Sequence, residues 1–431
     1  MLRTAFPLII LAMLLVGCSR KESVPTVAVH QDQVAAEPVT PQPVLPDDDT
    51  LPPPRVVPRR SPDEALAAGV AFLLGEQSPD GAWRSDVYAT FKDGLALTPL
   101  VVGALQDAAT AGVEPAGSAA ARRKGIEFLA QLAKANGDIE PGPDGIDYPV
   151  YTAAMAVKVL SHADGKDFRP ARDAWLKYLK ERQLTAKLGW KEDEKQYGGW
   201  GYCRVIPKKP DPNAFAPPLI ESNLSATVFA LEALKAAGEL DSETAKAAAV
   251  FVRRCQNWAM PTPGVPLPWT QVLDGGFHFI YDDPVRNKAG LVAKDGPDWP
   301  QLFHSYGSTT ADGLRVLDIC GTQDDQPRKE AAKAWLAQNF RADTHPGKYV
   351  KAHEPNREAV YYYYAASVSK VMRDQNIKMA NGTDWATALA AELAGRQHRD
   401  GSWVNRVELV RENEPLVATS NAVSALARCK K

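Results

Sequence analysis

The chain is poor in cysteine and has no long basic run. It holds five Cys in 431 residues. Four of them, Cys203, Cys255, Cys320 and Cys429, are spread too widely for any zinc-binding spacing. No metal and no cofactor is expected. Buried free thiols are the expectation for these four. An exported chain can oxidise its thiols, and Cys203–Cys255 is then the first pair to test for a bridge, since both follow the ends of outer helices. The formal net charge is -2, with a pI near 6.4, and no cluster of Lys and Arg marks a nucleic-acid surface. After the first residues no apolar run is long enough to span a membrane.

The one conspicuous apolar run lies at the N-terminus. Met1-Leu2-Arg3 precedes Phe6 to Val16 and then Leu15-Val16-Gly17-Cys18. A short charged start, an apolar segment and small residues before a cut describe a secretory signal peptide. Cys directly after Leu-Val-Gly resembles the bacterial lipobox. That resemblance implies a lipidated Cys18, a membrane as partner and a cell-envelope location. Ser19 at the next position points to the periplasmic face of the outer membrane in a Gram-negative host. Residues 19–60 are rich in Pro, Val and Asp, a composition that favours extended, disordered chain over a packed core. They read as a spacer, with Asp47-Asp48-Asp49 as solvated charge.

Residues 61–431 alternate two kinds of helical stretch. One kind carries charge on a face: Ser61–Gln77, Ala120–Leu132, Ala171–Gln183, Ser242–Gln256, Gln326–Phe340 and Asp384–Gln397. The other is nearly uncharged and rich in small residues: Leu97–Leu105, Tyr151–Leu160, Ser225–Leu234, Ser308–Leu317, Tyr361–Val371 and Leu416–Leu426. Helices apolar all round are buried, and charged amphipathic ones face water. Thr or Ser near the start of most of the second kind is expected to cap them. Six pairs make a long-period repeat, and the fold class that follows is all-α, an α6/α6 toroid behind a disordered linker.

A second pattern fixes the joints. Leu73, Gln77, Gly81 and Trp83 recur at the same offsets as Leu393, Gln397, Gly401 and Trp403. Leu and Gln end a helix, Gly supplies the positive φ that stops it, and Trp follows as a large apolar plate. This spacing resembles the QW motif of the terpenoid-cyclase and prenyltransferase repeat family, squalene–hopene cyclases included. The resemblance implies the same α/α toroid. The loops Tyr197–Cys203 and Asp274–Phe279, with the Tyr361–Tyr364 run, resemble bacterial prenyltransferase/squalene-oxidase repeat proteins.

Loops that feed inner helices gather on one face, at the central cleft. Candidate cleft residues are therefore Trp200, Tyr202, Phe277, His304, Tyr306, Tyr361 and Tyr362. Asp312, an acid inside an apolar helix, and His278, titratable near neutrality, are the candidate proton donors. The family's Asp-x-Asp-Asp-Thr motif is missing: Tyr306–Ala311 stands at the comparable position without a carboxylate. No Asp, Cys and His trio for a catalytic zinc can be placed. The leading expectation is a toroid that binds an apolar, glycan or peptide ligand or partner without standard cyclase chemistry. The alternatives are an isoprenoid cyclase or transferase with a non-standard acid, and a carbohydrate-active enzyme using Asp282, Asp283 and Tyr281. Whether the chain is an enzyme stays open at this point.

Overall fold

The computed structural model describes residues 60–140, 146–163, 168–259, 273–293 and 301–430. The leader, Cys18 and the Pro-rich segment up to residue 59 lie outside these residues.

Six helical hairpins follow one another. Their charged members are α1 (Pro62–Gly75), α3 (Ser118–Ala130), α5 (Arg169–Lys180), α7 (Ser242–Arg254), α9 (Gln326–Asn339) and α12 (Trp385–Arg396). Their apolar members are α2 (Leu97–Thr110), α4 (Pro149–Ser161), α6 (Leu224–Ala236), α8 (Gly307–Cys320), α11 (Tyr361–Asp374) and α13 (Pro415–Cys429). One short extra helix, α10 (Pro355–Ala359), precedes α11. The apolar helices pack in the order α2, α4, α6, α8, α11, α13, and α13 returns to α2. That closure makes the inner ring of an α6/α6 toroid. The charged helices form the outer ring, which leaves each one face of water and one of core.

Local chemistry sets the helix starts. Ser61 and Glu64 form a capping box around Pro62 at the start of α1, a reciprocal pair that satisfies otherwise orphan N–H groups. Asp241 caps α7 and Asp384 caps α12. The inner helices extend past the expected C-termini, by three residues at α13, because their last turns carry mixed polar side chains. A two-residue hairpin, Met379–Ala380 with Thr383–Asp384, turns on Asn381-Gly382 between α11 and α12.

Each joint works alike at four places. Gln77 Nε2 donates to the carbonyls of Gly81 (2.9 Å) and Ala121 (2.8 Å), which ties the end of α1 to α3. Gln397 does the same with Gly401 (2.9 Å) and Ala65 (2.8 Å), which ties the last outer helix to the first. Gln183 and Gln256 repeat this between α5 and α7 and between α7 and α9. The indoles of Trp83, Trp200 and Trp403 donate to carbonyls of Leu73, Leu179 and Leu393, the last turns of their own outer helices. The facing helix must be bare there: a Cβ on Gly69 would lie 2.7 Å from the Trp403 ring.

The inner-helix threonines depart from expectation. Thr98, Thr227, Thr310 and Thr419 do not cap their helices. Each hydroxyl oxygen accepts the backbone N–H of the joint aromatic, Trp83, Trp200, Phe277 or Trp403, at 3.0 or 3.1 Å. A buried N–H next to a bulky ring needs an acceptor, and the neighbouring inner helix supplies it.

Candidate functional site

Every inner helix is preceded by an outer one that runs the other way, so all six inner helices point the same way. The loops before them share one rim. Contacts between these loops confirm it: Phe279 O accepts from Leu224 N–H (3.0 Å), Lys195 pairs with Asp282 (3.0 Å), and Arg286 pairs with Glu221 (3.0 Å).

A cavity of about 880 Å³ runs along the ring axis from this rim to the far ends of α2, α4 and α13. That is within the size range of small-molecule sites. Its rim half is aromatic. Phe91, Tyr148 and Tyr202 succeed one another with centroids 6.2 and 6.0 Å apart. Deeper, Tyr151 meets Phe229 edge-on at 4.9 Å, and Phe229 meets Tyr363 at 6.2 Å. Phe279 and Tyr306 complete the wall.

The waist of the cavity is ionic. Arg315 on α8 donates from Nη1 to Asp312 Oδ1 (2.8 Å) and from Nε and Nη2 to Glu232 Oε1 on α6 (3.0 and 2.5 Å). Lys158 on α4 donates to Glu232 Oε2 (2.9 Å). From α11, Tyr363 donates to Asp312 Oδ2 (2.7 Å) and Ser367 to Oδ1 (2.5 Å). Four inner helices thus meet in one network. Burial opposes ionisation of Glu232, but Arg315 and Lys158 outweigh it and hold the carboxyl well below its ordinary value. At Asp312 burial prevails over the same guanidinium and the two hydroxyls and pushes the carboxyl up. Below the waist, Arg428 and Asp107 pair at 2.7 Å.

Among the described residues, Glu412 is the one lining acid without a cationic partner. It sits in the loop before α13, 1 % exposed, and its oxygens accept the first N–H groups of α11, from Tyr362 (2.9 Å) and Tyr363 (2.7 Å). Burial pushes its carboxyl up to about 8, against the pull of these two N–H groups and of Asn405.

Of the expected cleft residues, Tyr202, Tyr306 and Asp312 line the cavity. Trp200 and Phe277 do not. They are the wedges of the joints described above, fully buried between helices. Tyr361 and Tyr362 also face away. Tyr361 donates its hydroxyl to Ala342 O (2.6 Å), and the tyrosine of that run that enters the cavity is Tyr363. His304 lies on the loop strand beside Gly290, off the wall. His278 is buried against Phe303, and neither ring nitrogen has a partner. Burial holds it neutral, with its pKa lowered to about 3, so it is no cationic acid at neutral pH. Asp282 and Asp283 are paired with Lys195 and Arg286 outside the cavity, and Tyr281 is exposed. They make no pair of facing carboxylates in the cleft. The four cysteines after Cys18 are free, so the Cys203–Cys255 bridge is not formed.

Several cavity side chains escaped the sequence reading. Lys158 is the one charged residue of α4, and that isolation is the signal that could have found it; Glu232, Arg315 and Lys370 share their helices with other charges and carry no such mark. His345 also escaped the sequence reading. It is fully buried and accepts the N–H of Ser308 at Nε2 (2.8 Å), which places its proton on Nδ1 toward Tyr349 Oη (3.1 Å). Among the described residues no three His, Cys, Asp or Glu side chains cluster as a metal site would require.

No model of a known protein family matches the sequence, and no curated protein is similar to it. Solved structures are similar in shape. A variant of the type II terpene cyclase MstE from Scytonema, in complex with geranylgeranyl dihydroxybenzoate, superposes with a TM-score of 0.51 at 16% identity over 86% of this chain and 97% of that one. Another MstE variant, in complex with the product merosterolic acid A, gives 0.50 at 16% identity over 85% and 96%. An α-1,6-mannanase of Salegentibacter gives 0.48 at 10% identity over 86% and 98%. At these identities the likeness is one of fold.

Proposed function

We propose that the chain is a lipoprotein of the cell envelope, anchored through Cys18, whose toroid binds an elongated, isoprenoid-like ligand in its central cavity. The Cys after Leu-Val-Gly supports the anchor, and Ser19 supports the periplasmic face of an outer membrane in a Gram-negative host. The observation that carries the ligand reading is the continuous 880 Å³ cavity with an aromatic rim half. Rings packed edge-on around a channel offer apolar contact along a flexible chain. The similar terpene cyclase holds a geranylgeranyl chain in the same fold. The proposal stops short of standard cyclase chemistry, because the start of α8 carries Tyr306–Ala311 in place of an acidic cluster and the acid that follows, Asp312, is engaged by Arg315.

Glu412 favours a second reading, in which a cavity acid starts a reaction on the bound ligand. It faces the cavity, and no side-chain cation claims it.

Two measurements test the first reading. Solvent extraction of the protein purified from its host, followed by mass spectrometry, is expected to release a prenyl-type lipid in near-stoichiometric amount. A Ser225→Trp variant, which fills the rim half, is expected to release none. An empty wild-type extract, or an equal yield from both proteins, defeats the reading. Labelling with an alkyne fatty acid is expected to mark the wild type and spare Cys18→Ser.

A further inference from the structure

We propose that the ligand of this cavity is an anion, and that Lys288 and Arg411 form the seat of its charged group. The inference rests on the reading above that the cavity is the binding site. The whole chain carries a formal -2. Eight Lys and Arg line the cavity against four Asp and Glu, and six of those cations have acidic partners, some of them behind the wall, so the uncompensated positive charge on the wall is that of Lys288 and Arg411. Charges on the wall of a narrow, protein-lined space act through a low dielectric and draw in a ligand of opposite sign.

The eight cations are not equivalent. The deep ones are neutralised locally: Arg428 by Asp107 (2.7 Å), Lys158 by Glu232 (2.9 Å) and Lys370 by Asp374 (2.7 Å). At the rim, Arg286 is held by Asp283 and Glu221. Lys288 and Arg411 form no ion pair among the described residues. Lys288 is half-buried on the cavity wall, and desolvation draws its pKa down. A desolvated ammonium without a contacting carboxylate gains from an anion placed beside it. Arg411 lies over the Tyr88 ring at 4.2 Å. Its backbone has φ 66°, in the left-handed region that favours glycine. Its side chain lines the cavity mouth.

Both residues stand at the end of the cavity where the six inner helices begin. Helix N-termini add positive potential there. The aromatic wall of Tyr151, Phe229 and Tyr363 lies further in. The charge is therefore seated at the rim with the apolar chain running inward, which makes the ligand an anionic amphiphile with a phosphate or carboxylate head.

Titration calorimetry on the chain from Ser19 onward, whose ring closes within α1 to α13, tests this with three probes that share one tail: geranylgeraniol, geranylgeranyl phosphate and geranylgeranoic acid. Both anions are expected to bind at least about tenfold more tightly than the alcohol. Lys288→Met and Arg411→Met are each expected to bring the anions toward the alcohol's affinity and to leave the alcohol unchanged, which also shows that the variants fold. The ratio between phosphate and carboxylate identifies the head group. If the alcohol binds as tightly as the anions, or the variants hold the anions as the wild type does, the seat is wrong while the cavity reading stands. If none of the three binds, both fall.

Discussion

The Tyr363 hydroxyl on α11 donates to Asp312 Oδ2 on α8 across 2.7 Å, and the other oxygen of that carboxylate receives Arg315. The pair couples the tyrosine-rich helix to the ionic waist. Removing the cation leaves Asp312 and one oxygen of Glu232 as buried charge without compensation. Arg315→Met is accordingly expected to lower unfolding stability by about 3–5 kcal/mol, and Tyr363→Phe by about 1 kcal/mol. Urea denaturation measures both. An Arg315→Met protein as stable as the wild type would show that the waist is wet enough to screen its charges.

Ring closure gives a more local prediction. Gln397 is the only joint glutamine described that binds the last outer helix to the first, through Ala65 O. Gln397→Ala deletes two hydrogen bonds to buried backbone, at about 1–3 kcal/mol for the acceptors left unmet. Because the toroid is otherwise continuous, the loss is expected to appear first as faster amide hydrogen exchange in α1 and α12, with α4 to α8 unchanged. Uniform acceleration around the ring would mean that the joint acts on the whole fold at once.

The hairpins were legible in the sequence because their two faces differ in composition and the joint spacing repeats. Leu73-Gln77-Gly81-Trp83 names a helix end, a stop and a wedge in order, and the structure uses each residue for that purpose. The same logic misled at the cleft. Trp200 and Phe277 stand in loops that do face the cavity, but each follows a positive-φ glycine by two residues, Gly198 and Gly275, as Trp83 follows Gly81, and that step already marks them as joint wedges. The acid Glu412 and the cation Lys288 carry no local signal. They reach the cavity because closure brings loops from distant hairpins to one rim, and no spacing along the chain encodes that.

The thiols provide a simple check. Cys203 and Cys255 are buried and unbridged, and Cys429 is buried as well. Dithiothreitol is expected to leave the melting temperature of the chain from Ser19 unchanged. A maleimide should find four reactive thiols only after denaturation, and a fall in melting temperature on reduction would contradict the free state.

Acid sensitivity follows from two rings. Burial holds His278 and His345 neutral, each with a pKa lowered to about 3 from 6.5. Between pH 6.5 and 3 the unfolded chain takes up protons that the folded one refuses, so stability falls as the pH drops through that window, by up to about 1.4 kcal/mol per pH unit for each ring. His278 has no partner at either nitrogen. His278→Leu is therefore expected to be neutral or stabilising by about 1 kcal/mol at pH 7, and to shallow the acid slope by one ring's share. Unfolding free energies at pH 7 and pH 5 measure both effects. An unchanged slope would place the protons elsewhere.

Glu412 acts in the opposite sense. Its pKa rises from 4.5 to about 8 on folding, chiefly through burial. The folded protein keeps a proton that the unfolded chain has released above pH 4.5, so this contribution is full in acid and is lost as the pH rises through 8. Above about pH 7.5 the two buried histidines are deprotonated in both states, and a fall in stability between about pH 7.5 and 8.5 isolates the carboxyl. Glu412→Gln is expected to flatten it, although the variant is less stable throughout because an amide NH2 replaces one acceptor for the N–H groups of Tyr362 and Tyr363. Infrared spectra give an independent view. A protonated-carboxyl band present at pH 7 in the wild type and absent from the variant locates the proton, whereas its absence from both would show that the two backbone donors keep Glu412 ionised and would remove it as a cavity acid.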